Sequence, residues 1–227
     1  GDYPQNHILL ENALNVEIGS GGNQNNVFKD IYSGIKVISS DLTMVKGEFI
    51  NLVNNNGVTP AKGFGIIALN NTNTPYDLDI DSRFNNLSRG IFSRGNFNIN
   101  IHDLEYFRDI DDVAIALFHF NYANDIVITN VEKFERTNIG VLVAGSNLNS
   151  VIVSNNEFTN TDLFETSTSS FHNTAISIRS TATTTGEYNV YGNIIDDYRI
   201  GIHALNVPGI KIGYDENNVI HTNTMNY

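Results

Sequence analysis

The sequence predicts an all-β chain that coils on itself, and three observations carry that prediction. One phrase, a small residue followed by alternating aliphatics, recurs with starts about 24 to 35 residues apart, mostly near 25, a spacing that signals stacked repeats. Within each unit apolar and polar residues alternate with period two, which sends one face inward and the other outward. The apolar runs are short, β-branched and broken by Asn, Gly and Ser, so no unit holds a helix. Strands that return every 25 residues without helices between them do not form a doubly wound sheet. They stack in parallel, turn upon turn.

Taken in order, "NVEIGSGGNQNNVF" reads as a leading unit. The repeated first strand then starts at Gly34-Ile35-Lys36-Val37, Gly65-Ile66-Ile67-Ala68, Gly90-Ile91 and Ala114-Ile115-Ala116-Leu117. Gly140-Val141-Leu142-Val143, Ala175-Ile176-Ser177-Ile178 and Gly201-Ile202-His203-Ala204 complete the series. A second alternating strand follows each: "LTMVKGEF", "YDLDIDSRF", "INIHDLEYF", "IVITNVEKF", "VIVSNNEF", "YNVYGNII" and "IKIGYDENNVI". In "VIVSNNEFTNTD" Val151, Val153 and Phe158 point inward, each stacked on its equivalent one turn away.

The 227 residues include 35 asparagines, several times the share expected of an ordinary domain. Asparagine tolerates the left-handed backbone of a tight corner, and its amide can bond to an amide in the next turn. Asn155 is placed at such a corner, with Asn130, Asn193 and Asn217 as candidate ladder partners.

This pattern, over essentially the whole chain, resembles the right-handed parallel β-helix of the pectate-lyase-like superfamily. The resemblance implies one domain over residues 1–227, with about eight rungs at ~4.8 Å and a rod near ~40 Å long. The strand-like start and the ending "HTNTMNY" read as a processed chain or an excerpt of a longer one. With the low-charge, Asn/Thr-rich composition, the resemblance implies an extracellular or cell-surface bacterial protein.

With the aliphatics of each first strand inward, two outward rows follow. One reads Lys36, Ile67, Phe92, Ala116, Leu142, Ser177, His203, and the other Ile38, Leu69, Arg94, Phe118, Ala144, Arg179, Leu205. A solvated face does not carry so many large apolar residues, and such a patch marks a binding surface or a covered one. Phe92, Arg94, Phe118, Leu142, Arg179 and His203 are the binding candidates. The competing expectation is that loops at 54–64 and 162–173 fold over the face. Two Thr/Ser-rich loops flank Ala175–Arg179 and would wall a groove holding Ser177, Arg179 and His203.

Asp77, Asp79 and Asp81 of "DLDIDSR" share the outer face of one strand, with Asn98, Asn100 and His102 beside them in the next turn. Clustered oxygen ligands suit Ca²⁺, and in lyases of the resembled superfamily such a cation bridges an acidic sugar to the protein. Arg83 is then the nearest base candidate. A solvated acidic strand face accounts for the same residues. The pairs Asp111-Asp112 and Asp196-Asp197 resemble the aspartate pair of polygalacturonases, whose carboxylates supply acid and base. "NTD" at Asn160–Asp162 is a similar scrap. No Gly-His-Gly follows, and "YRIGI" lacks the lysine of the basic motif.

A net charge of −12 from 13 cations and 25 acids repels a nucleic-acid backbone. The chain has no cysteine, hence no disulfide or thiolate metal site, and no apolar run of about 18 residues to span a membrane. The expected function is a non-catalytic scaffold or adhesin-like module presenting its outer sheet face and loops to a glycan or protein partner. The alternative is a polysaccharide lyase or glycoside hydrolase acting on an acidic polysaccharide.

Overall fold

A computed structural model of the chain describes residues 5–19, 26–54, 61–160, 173–181, 186–215, 217 and 219–226. The described residues are all-β and solenoid-like. Nineteen of the described strands join one sheet, and every pairing described between them is parallel, as a coil that returns to the same place demands. A short antiparallel pair, Val53–Asn54 with Ala61–Lys62, stands apart.

Three stacks of strands form the walls. The first runs through Asn6–Glu11, Ser33–Ile38, Phe64–Asn70, the ends of Tyr76–Gly95, Tyr106–His119 and Lys133–Gly145, then Thr174–Ser180 and Ile200–Leu205. Its register aligns Ile8, Ile35, Ile66, Ile91, Ile115, Val141, Ile176 and Ile202 in one inward row. The expected inward column is reproduced residue for residue. The second stack aligns Leu42, Leu78, Ile99, Ile126, Val151 and Tyr188 inward.

The third stack explains the repeated phrase. Phe28, Phe49, Phe84, Phe107, Phe134 and Phe158 occupy one inward row. Successive rings lie 4.6, 4.8, 4.7, 5.1 and 4.4 Å apart and within 10° of parallel, the spacing that parallel strands impose. Each ring needs room on its far side, and the small residue that opens the first strand provides it. A Cβ on Gly34 would stand 2.4 Å from Phe49, and one on Gly65 2.6 Å from Phe84. On Gly90 it would meet Phe107 at 2.6 Å, and on Gly140 Phe158 at 2.6 Å. The small residue and the phenylalanine are thus two halves of one packing solution, and crowding on either side of the ring is costly.

Corners are made by left-handed residues, and among the described residues thirteen of the fifteen non-glycine cases are Asn or Asp. Asn155 is one of them, with φ 55°, as expected. Its equivalent Asn130 has the same φ and donates to Asp103 at 3.0 Å. The buried amide ladder is one residue further on: Asn156 Nδ2 donates to Asn193 Oδ1 at 3.0 Å, and Asn193 Nδ2 to Asn223 Oδ1 at 2.9 Å. Asn193 is therefore a ladder residue, but its partner is Asn156, because the residue after the corner is the one that turns inward. Asn217 is no part of it. Its backbone N–H bonds to Asp215 in an exposed turn. A second internal ladder, Asn70, Asn96 and Asn124, lines the corner after the first stack.

Candidate functional site

The outer face of the first stack has the predicted register. Ile67, Phe92, Ala116, Leu142, Ser177 and His203 follow one another in one row, and Leu69, Arg94, Phe118, Ala144, Arg179 and Leu205 in the next. The face divides into two parts. In its middle, Val113, Ala116, Ile139 and Leu142 form a second apolar cluster outside the main core, with Phe92 and Phe118 packed on it. The two rings are 5.8 Å apart. Leu142 is 9% and Ala116 1% exposed, so this part is packed. Arg89 lies over Phe92 at 5.4 Å and is held by Asp112 at 2.5 Å. Arg94, by contrast, is exposed.

Towards the C-terminus the same face turns polar. Arg179 Nε donates to Ser177 Oγ at 3.2 Å, and Ser177 Oγ and His203 Nδ1 are 3.3 Å apart. The expected trio of Ser177, Arg179 and His203 is thus brought together. Of the loops invoked to cover or wall the face, residues 55–60 of 54–64, residues 162–172 of 162–173, and residues 182–185 fall outside the described residues.

The acidic strand also lies where its alternation puts it. Asn98 Nδ2 donates to Asp77 at 3.0 Å and Asn100 Nδ2 to Asp79 at 3.3 Å. His102 bridges Asp79, at 2.7 Å, and Asp103, at 3.0 Å. Burial alone lowers the His102 pKa, but hydrogen bonds to Asp103 and Asp79 outweigh it and hold the pKa above the ordinary value. The hydrogen bonds from His102 and Asn130 depress Asp103 in return. Among the described residues, no three His, Asp or Glu side chains are placed to share a metal ion.

Beside this strand a cleft of about 340 Å³ opens at the corner, lined by Asp81, Arg83, Asp103, Glu105 and Glu132 with Gly47 and Ser82. A neighbouring cleft of about 330 Å³ shares Asp103 and Glu132 and adds Asn130 and Asn155. Arg83 pairs with Glu105 at 3.2 Å. Asp103, Glu105 and Glu132 were not singled out from the sequence, although a recurring Asn/Asp-x-Glu after the second strand (103–105, 130–132, 155–157) marks them.

The paired aspartates do not converge on a common point. Asp111 is bound by Lys62 at 2.6 Å, and Asp112 by Arg89. Asp197 is a left-handed corner residue with φ 57°, while Asp196 belongs to a strand paired with Glu157–Thr159. Asn160 is buried in a corner, its Nδ2 bonded to Asn173 at 2.7 Å, and Asp162 lies outside the described residues. Compared with known proteins, the chain matches no protein-family model, no curated sequence and no solved structure.

Proposed function

We propose that the chain is a right-handed parallel β-helix of about eight rungs that serves as a non-catalytic, adhesin-like scaffold outside the cell. It presents the outer face of its first stack to a glycan or a protein partner. One observation carries this reading over catalysis: three of the carboxylates expected from the sequence to do acid–base work or hold a cation are each tied into a separate structural pair. Asp111 is held by Lys62, Asp112 by Arg89 and Asp79 by His102. A hydrolase or lyase needs two such groups, or a base and a cation, converging on one sugar.

The presenting surface consists of exposed Arg94 beside Phe92 and Phe118, continuing to Arg179 and His203. Aromatic rings that accept sugar faces, flanked by guanidinium donors, suit a glycan. Among the described residues Asp77, Asp79 and Asp81 are not placed to share an ion, and Asp79 is held by His102, so calcium enters as a condition of the test and not as part of this reading.

The test is to apply neutral and uronate-bearing polysaccharides with and without calcium, following retention and cleavage together. Retention without product is expected, weakened when Arg94 and Arg179 are replaced by alanine. Release of reducing or unsaturated ends would sink the scaffold reading in favour of the lyase or hydrolase.

A further inference from the structure

Directly behind two residues of the presenting face lies a buried ionisable group. Phe118 and Arg94 pair side by side in the outer row. The residue after Phe118 is His119, which turns inward and is 0% exposed. In its own inward row His119 faces Gly145 in the next turn and Gly95, which follows Arg94, in the previous one. Neither glycine offers a side chain to pack on the ring, so its hydrogen bonds place it.

Those bonds join two turns. Nε2 lies 3.2 Å from Ser93 Oγ, and Nδ1 lies 3.3 Å from Asn124 Oδ1. Asn124 Nδ2 donates to Asn96 Oδ1 at 2.9 Å, which leaves Asn124 Oδ1 as the acceptor that faces the ring. His119 Nδ1 therefore carries the proton, and Nε2 accepts from the Ser93 hydroxyl. The neutral ring ties the Phe118 strand end to the Ser93–Arg94 strand before it and to the far side of its own corner, Phe120–Asn124. The outer part of that corner meets solvent: Phe120 is 40% exposed, and Asn121 is a left-handed residue with φ 69°.

A proton on Nε2 breaks this arrangement. The acceptor of the Ser93 hydroxyl becomes a second donor, and a cation stands in the core without a counter-ion. Among the described residues, the ionisable side chains on the elements packed around it are Arg94 and Asp125, both exposed. Asp125 is engaged on the outside by Asn149 and Ser150, at 2.6 and 2.7 Å, and the facing stretch Val141–Gly145 carries no ionisable residue. Burial lowers the His119 pKa, and the bond to Asn124 and a backbone bond at Phe97 offset only part of that. Opening the corner returns water to the imidazole.

We propose that His119 is an acid-released latch on the presenting face: protonating it opens the Phe120–Asn124 corner and frees the strand end that holds Phe118 beside Arg94. The consequence for a ligand rests on the reading of that face given above, whereas the latch itself does not. Above pH ~6.5 the ring is neutral whether the corner is open or closed, so the latch holds fully. It is lost as the pH falls from there towards the folded value of about 4.

Amide exchange of the whole chain at pH 7.5 and pH 5, corrected for intrinsic rates, tests it. The Phe118–Asn121 amides should open about thirtyfold more often at pH 5, the factor by which an imidazole of ordinary pKa gains over one that refuses the proton. They should do so ahead of core amides such as those of Ile101 and Ile128. His119→Gln, which keeps a side-chain amide without the charge, should abolish the factor. The wild-type imidazole resonance decides independently of that variant's folding: it should stay neutral down to pH 5, and titration near pH 6.5 with the corner closed overturns the latch. Equal opening at both pH values also overturns it, as does opening of these amides only together with the core. Retention on a uronate-bearing polysaccharide should fall between pH 7.5 and pH 5 in the wild type but not in His119→Gln, with His203 common to both chains. An equal fall in both overturns the coupling to the face. No retention at either pH counts against the presenting face, and the exchange data then decide the latch alone.

Discussion

From Phe28 to Phe158 the third stack is filled by six near-parallel stacked rings, whereas the same inward row continues as Ile195 and Met225. The rings from Phe49 to Phe158 are fully buried, while Met225 is 40% exposed. Past Phe158 the stacking ends edge-on against Tyr198, at 6.2 Å and 86°. The Tyr198 hydroxyl turns to Thr137, and burial pushes its pKa up. The backbone pattern is common to both regions, so the difference lies in what fills it. Where ring, glycine and amide recur together, each turn reinforces the next. Where the ring is lost, the turn rests on its backbone bonds and smaller side chains, and such a turn opens before its neighbours.

The largest effect expected from this contrast comes from deleting one ring on each side of it. Phe107→Ala removes a fully buried ring that stacks on both Phe84 and Phe134, and should cost about 3–5 kcal/mol. Met225→Ala, at an exposed position, should cost only about 0.5 kcal/mol. Denaturant midpoints measure the two losses, and hydrogen exchange should show the Phe107 variant opening across its neighbours as well. Equal losses at both positions would break the distinction.

A second, somewhat smaller effect comes from a buried histidine of the middle turns. His119 sits inside the coil, 0% exposed, between Asn124 and Ser93. Burial pushes its pKa down to about 4, with only partial compensation by the hydrogen bond to Asn124. Above pH ~6.5 the ring is neutral in both the folded and unfolded chain. As the pH falls from there towards 4 the unfolded chain takes up a proton that the folded chain refuses, so stability declines. The loss is at most about 3 kcal/mol. Denaturation midpoints between pH 7 and 4 should show it, and His119→Gln should flatten that limb. An unchanged slope in the variant would mean that other groups carry the acid dependence.

Much of the coil was legible because its side chains are repeated at fixed register. The outward rows through Phe92 and Phe118 emerged residue for residue, since period-two alternation leaves only two choices for each strand. The ladder asparagines were less legible, because a corner residue and its inward neighbour are both Asn at 155 and 156. Only the backbone angle separates them. The acidic corner cleft was missed for another reason. Asp103, Glu105 and Glu132 converge through the turn between two stacks, where alternation says nothing about direction. Why Asn189 is buried with neither amide atom bonded has no explanation in the sequence or in the described residues.

The smallest effect lies at that corner and has the opposite sign to the His119 effect. His102 is about one-third exposed and clasped by Asp79 and Asp103. Burial works against its charge, but the two carboxylates raise its pKa above 6.5. A raised folded pKa means that the clasp contributes fully below about pH 6.5, where the unfolded imidazole is also charged, and fades as the pH rises through the folded value. Solvent screening keeps the contribution within about 0.5 kcal/mol. Wild type should therefore lose this small increment as the pH rises above about 6.5, and His102→Asn should remove the pH dependence there while leaving the acid limb set by His119 intact. Amide exchange at the 103 corner, compared at pH 6 and pH 8 after correction for intrinsic rates, reads the same change locally. Equal protection at both values would mean that the Asn130–Asp103 bond alone holds the corner, with His102 a bystander between two carboxylates.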